Sequence, residues 1–161
     1  MAKHPNWRIA AAKVTMKQNI PFVAHLFSFK GNDEVLLLLA DRPAISWLMS
    51  QLAEFACTRN DSRRPAFVIG DGNPVQSDGR CIISVELDHQ ANGGKLVQQT
   101  QNTFRWSLSP SSADHYRQLL SGMLKNEVPC HQYLDPDNLP APVLIVSLGE
   151  YQVDVFRGPT T

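Results

Sequence analysis

The strongest constraint in this chain is a two-residue alternation that passes directly into a helical repeat. In Phe104-Arg105-Trp106-Ser107-Leu108 every second residue is apolar, so Phe104, Trp106 and Leu108 share one face of a strand and Arg105 and Ser107 the other. Ser109 follows with a side-chain oxygen able to accept from the open N–H groups of a first helical turn. Pro110 suits the first helical position, because its missing N–H would have had no partner there. Beyond it Ala113, Tyr116, Leu120, Met123 and Leu124 recur at spacings of three and four, opposite Asp114, Arg117, Gln118 and Lys125. Asn126 can end the helix and Pro129 prevents its resumption, after which Cys130-His131-Gln132-Tyr133-Leu134 returns as an extended segment. A strand, a capped helix and a return strand in succession require a sheet with a helix packed on it. Pro142 to Leu148, rich in Val and Ile, supplies the next strand.

A similar unit lies upstream. Phe22 to Phe29 and Glu34 to Leu39 are apolar runs separated by Lys30-Gly31-Asn32-Asp33, a hairpin signal, and the second run is apolar on both faces, which calls for cover on each side. Asp41 stands where it can cap a helix, with Pro43 in the first turn and Ile45, Leu48, Leu52 and Phe55 as the stripe up to Cys57. Sliding one unit over the other superposes Leu36, Leu38 and Ala40 on Phe104, Trp106 and Leu108, and Asp41 on Ser109. A short and a longer strand follow each helix: Ala66 to Ile69 and Cys81 to Leu87, then Cys130 to Leu134 and Val143 to Leu148. Residues 33–88 and 95–151 are thus candidate halves of a strand-helix-strand-strand duplication, with chance similarity between two units of any α+β protein as the alternative. Lys95 to Thr100 is expected to pair back on Cys81 to Leu87, and Trp7 to Met16 fits helix and strand equally.

Length and composition set the class. With 161 residues, 43% of them hydrophobic, and no long polar tract, the chain is expected to form one domain over 1–161 with its own core. The expected fold is α+β: a mostly antiparallel sheet of about six or more strands with two main helices packed on one face. Fifteen basic and fifteen acidic residues give no net charge to attract a polyanion or an anionic bilayer, so nucleic-acid and membrane partners are not expected. Arg59, Arg63, Arg64 and Arg80 could form only a small basic patch, and their loop lacks aromatics for base stacking. Cys57, Cys81 and Cys130 are odd in number and widely spaced, which suits a reducing compartment. The short Ile9-Ala10-Ala11-Ala12 run is too brief for a signal-peptide core, and no run approaches the roughly 20 apolar residues of a membrane span. A soluble cytoplasmic protein is expected.

No motif names a reaction. Cys130 and His131 invite a thiol–imidazole dyad, but neighbours on a strand point to opposite faces. His4, His25, His89, His115 and His131 show no metal-binding spacing, and the cysteines are not grouped as zinc would require. Gly70-Asp71-Gly72-Asn73 and Asp135-Pro136-Asp137-Asn138 carry oxygen ligands at short spacing without the closing glutamate of an EF-hand, so turn chemistry explains both. Neither a phosphate loop nor a dinucleotide fingerprint occurs, so no cofactor and no metal is expected. Ser109-Pro110-Ser111-Ser112 reads as a cap, with no nucleophile elbow around it.

Two surfaces remain as contact candidates: the turn-rich loop from Gly70 to Gly79 and the turn from Asp135 to Leu139. They contribute Asp71, Asn73 and Asp137 as binding candidates, joined by Tyr151, an interface-type aromatic after the last strand beside Glu150. The sequence therefore points first to a non-enzymatic protein-binding module, with a bacterial immunity or inhibitor protein directed at a cognate toxin as its concrete form. An enzyme with a dispersed site drawn from His131, Asp135, His115 and Cys130 is the second expectation. A homodimer with a structural or assembly role is the third.

Overall fold

Asp41 and Ser109 each end a strand and begin a helix. In the computed structural model, which describes residues 35–57, 67–69, 81–90, 94–134 and 142–150 together with the strand backbone at 20–21, 23–28, 34 and 75–76, both act as N-caps. Asp41 Oδ1 accepts from the Ala44 N–H at 2.8 Å, and Ser109 Oγ from the Ser112 N–H at 3.2 Å. The helices they open are α1 (Arg42–Ala56) and α2 (Pro110–Lys125), with a proline in the first turn of each. The expected stripes are the buried ones: Ile45, Leu48, Leu52 and Phe55 on α1, and Ala113, Tyr116, Leu120 and Met123 on α2. Leu124 is only partly buried at the edge of the second stripe.

The strands are β1 (Ile20–Pro21), β2 (Val23–Ser28), β3 (Glu34–Ala40), β4 (Phe67–Ile69), β5 (Val75–Gln76), β6 (Ile82–Leu87), β7 (Gly94–Thr100), β8 (Thr103–Leu108), β9 (Cys130–Tyr133) and β10 (Val143–Leu148). With two helices the fold is α+β, as the patterns imply. The strands divide between two four-stranded mixed sheets where the sequence suggested one, in the orders β2-β3-β10-β9 and β4-β6-β8-β7. The short β1 and β5 add a parallel two-stranded pair. The hairpin of β2 and β3 is antiparallel as expected. The strand from 95 to 100 departs from expectation: β7 pairs antiparallel with β8, and β8 lies between it and β6. The reason is burial. Phe104 and Trp106 are fully buried and need neighbours on both sides, whereas Gln99 and Thr100 are exposed and suit an edge.

Both sheets are built to one plan. Two central parallel strands form each, β3 with β10 and β6 with β8, and each central strand carries an antiparallel neighbour on its outer side. Val35 lies opposite Val143 through to Ala40 opposite Leu148; in the other sheet Thr103 lies opposite Ile82 through to Leu108 opposite Leu87. The strand that enters each helix, β3 or β8, belongs to one sheet, and the strand that leaves it, β4 or β9, belongs to the other.

One core serves both sheets and both helices, uniting Leu36, Leu38, Leu144 and Val146 with Ile83, Val85, Phe104 and Trp106 and with the two helical stripes. The faces turned away from it differ. In the β6–β8 sheet that face carries Ser84, Glu86, Arg105 and Ser107, all half-buried, with Arg105 Nε 3.9 Å from Glu86. The matching positions around β3 and β10 are Leu37, Leu39, Ile145 and Ser147, so three of the four are apolar, and Leu37, Leu39 and Ser147 are buried. Burial of β3 on both faces follows its continuous apolar run.

Candidate functional site

A group of polar side chains from two strands and the turn after them meets on the outer edge of the β3–β10 sheet. β9 is the edge strand, and its alternation sends Cys130 and His131 to opposite faces. Cys130 is half-buried, with Sγ 4.0 Å from the Met123 carbonyl on α2. His131 faces outward, where its cross-strand partner is Ser147 of β10. At the end of β10, Gly149 adopts φ 71°, a left-handed conformation that glycine enters without a Cβ penalty, and the turn it makes brings Glu150 back over the sheet.

Glu150 then joins the other two. Its Oε2 lies 2.7 Å from His131 Nδ1 and 3.4 Å from Ser147 Oγ. The carboxylate accepts from the ring and, more weakly, from the hydroxyl. In the neutral imidazole with Nδ1–H donating to Glu150, Nε2 is the acceptor; in the imidazolium both nitrogens donate. The Tyr133 ring stands edge-on to the imidazole with centroids 5.5 Å apart, which limits its rotation. Ser147 is buried at 1% exposure, but its hydroxyl meets the carboxylate and not the imidazole. The serine therefore has no imidazole as its base, and this is not the order of groups in a nucleophilic triad.

Two further side chains, one before β9 and one at its end, are exposed. Val128, in the connection from α2 to β9, is 67% exposed, and Tyr133 is 46% exposed; among the described residues these are the exposed large apolar side chains.

His115 lies elsewhere. It is exposed on α2, its ring 5.8 Å from that of Tyr116, and no hydrogen bond or ion pair joins it to His131. Asp135, Asp71, Asn73, Asp137 and Tyr151 lie outside the described residues, as do Arg59, Arg63, Arg64, Arg80 and the stretch from Trp7 to Met16. Among the described residues no group of three or more His, Cys, Asp or Glu could hold a metal ion, and no helix is long and apolar enough to cross a membrane. In the sequence Glu150 stands out only as a companion of Tyr151, and nothing marks Ser147. Their one local signal is a glycine directly after a strand and before an acid, which implies a turn but not what the acid meets. Compared with known proteins, the chain matches no family model and has no match among curated proteins or solved structures.

Proposed function

We propose that the protein is a non-enzymatic binding module that meets another protein at the corner formed by the α2–β9 connection and the edge strand β9. The observation that carries this reading is the exposure of Val128, in the α2–β9 connection, and of Tyr133, on the edge strand β9, the exposed large apolar side chains among the described residues. A solvated tyrosine on a rigid strand offers a large contact area at low entropic cost, and tyrosine is enriched among residues that dominate interface energies. His131, whose ring stands edge-on to Tyr133, and Glu150, which that imidazole meets, add hydrogen-bonding groups of the kind found at an interface rim. An inhibitor that neutralises a toxin is the narrower form of this proposal, and rests on chain size and the absence of a cofactor motif.

Affinity capture of the tagged chain from its own organism tests the reading. The expected result is one stoichiometric partner whose affinity falls at least about tenfold with Tyr133→Ala, a side-chain loss of roughly 1.4 kcal/mol or more. A partner that binds this variant and Val128→Ser as tightly as the parent overturns it, as does the absence of any stoichiometric partner.

The oriented imidazole favours one second reading, an acid–base site at His131 Nε2 with Glu150 holding the ring. In that case His131→Ala abolishes turnover of any substrate found, and Glu150→Gln lowers kcat with little effect on KM.

A further inference from the structure

The register of β9 fixes which of its backbone groups are open. The Leu134 N–H donates to the Leu144 carbonyl at 2.9 Å, so that pair is hydrogen-bonded, and the alternation of an antiparallel ladder turns Gln132 and Cys130 toward β10 as well. His131 and Tyr133 lie between them, opposite Ser147 and Ile145, and their N–H and C=O groups point away from the sheet. Among the described residues no main chain meets these groups; the Tyr133 carbonyl accepts from the side chain of Gln132 at 3.2 Å. Donors and acceptors repeating at strand spacing complement another extended backbone.

The edges with described side chains are not guarded alike. β7 carries the exposed Lys95 and a register irregularity between Gln98 and Thr100, both of which keep a second strand away. β4 is only three residues long. β9 has no lysine, no proline and no bulge: Cys130, His131, Gln132 and Tyr133 pair with β10 without interruption, and the Tyr133 ring stands exposed beside the open edge.

We propose that a second copy of this chain occupies the β9 edge, the two β9 strands pairing antiparallel about a twofold axis at Gln132. In this register His131 lies opposite the partner's Tyr133 and Tyr133 opposite the partner's His131, so that every outward group of β9 finds a main-chain partner. Neighbouring registers do worse. Centring on His131 sets Tyr133 against Pro129, which has no N–H to give, and centring on Tyr133 carries His131 past the end of the strand. The side chains agree with the backbone. On the outer face the His131 and Tyr133 rings, edge-on with centroids 5.5 Å apart within one chain, gain the partner's rings as direct cross-strand neighbours. On the inner face the two Gln132 amides meet at the axis, where each can donate and accept, while the Tyr133 carbonyl takes the partner's His131 N–H. Charge favours a second copy. β9 carries no lysine, arginine, aspartate or glutamate, and fifteen basic against fifteen acidic residues leave the chain without net charge, so copies approach without repulsion.

The contact is small, so the dimer is expected to be weak and reversible. It does not rest on the partner proposed above, which would compete for the same tyrosine, and the experiment uses the purified chain alone. Sedimentation equilibrium of the wild-type protein from about 10 µM to about 1 mM is expected to show the mass rising from monomer toward dimer. Over the same range, amide exchange at His131 and Tyr133 is expected to slow, while Gln132 and Leu134, already bonded to β10, serve as unchanged controls. His131→Pro removes an outward donor without breaking a bond to β10, and Tyr133→Lys gives β9 an edge lysine like that of β7. Both are expected to melt as the parent does and to stay monomeric; if the proline variant does not fold, the lysine variant decides. A wild-type monomer across the whole range overturns the proposal. So does a dimer in which the His131 and Tyr133 amides exchange as fast as in the monomer, or one that persists in a folded edge variant.

Discussion

Arg42 Nη1 donates to the Leu124 carbonyl across 2.7 Å, so that the first residue of one helix closes the last turn of the other. The second guanidinium nitrogen reaches the Asn126 carbonyl at 2.5 Å. The end of a helix presents carbonyls without intrahelical partners, and its dipole favours a cation there. Two such acceptors at fork spacing suit arginine better than lysine. Arg42→Ala is expected to cost about 1 kcal/mol, a modest figure because the site is exposed and water can replace the donor. Arg42→Lys should recover only part of it. Chemical denaturation of the three proteins measures the difference, and equal midpoints would show that the contact adds nothing.

Gly94 is a steric requirement of the core. A Cβ there would stand 2.7 Å from Trp106 Nε1, 2.8 Å from the Tyr116 hydroxyl and 2.9 Å from Leu108 Cδ2. All three belong to buried residues, and the Trp106 and Tyr116 rings stack with centroids 5.6 Å apart, so neither ring can swing away. Gly94→Ala should destabilise the protein by about 1–3 kcal/mol through overpacking. Tyr116→Phe removes the acceptor of the Gly94 N–H, a buried 2.8 Å bond, and should cost about 1–2 kcal/mol by a different route. Thermal melts of both check the two mechanisms separately.

The matched sheet positions predict unequal costs for a similar change. Leu37 and Arg105 occupy equivalent places in the two central ladders, yet Leu37 is 6% exposed and Arg105 half-buried. Leu37→Ser should cost about 3 kcal/mol, from lost burial and a polar group in an apolar setting. Arg105→Ser should stay within about 1 kcal/mol, because its ion pair with Glu86 is long and partly solvated. Equal losses at the two sites would mean that the outer faces do not differ as described.

Asp114 supplies a pH signature. Hydrogen bonds from Arg117 and then from Gln118 hold its carboxyl below the usual carboxylate value. A depressed folded-state value adds stability above the unfolded value, near pH 4, and that stability is lost as the pH falls through the lower, folded value. Asp114→Asn should therefore melt below the parent near neutral pH, with the gap closing in acid. Melting curves from pH 7 down to about pH 2 test this; a gap independent of pH would remove Asp114 from the acid response.

Much of the fold was legible because its signals are local. The Ser109 cap, the Pro110 start and the Asn126 stop each act within a turn, and α2 runs from Pro110 to Lys125 accordingly. Alternation alone identified Phe104, Trp106 and Leu108 as buried, and all three are fully so. Strand partners were less legible. The expectation that residues 95–100 would pair with Cys81 to Leu87 used proximity in sequence, whereas β8 enters between the two. Of the candidate site, His131 was named from sequence, but Glu150, 19 residues away, was paired with it only by folding.

The sequence by itself determined where each helix starts, which face of it is apolar, and that β3 must be covered on both sides, because caps and hydrophobic periods depend on residues a few positions apart. Tertiary structure decided which strands are neighbours, that two sheets form instead of one, and that His131 meets Glu150. Ladder hydrogen bonds join backbone groups that every non-proline residue carries, so they name no partner. Partners are selected when two distant halves of the chain compete to bury their apolar faces in one core.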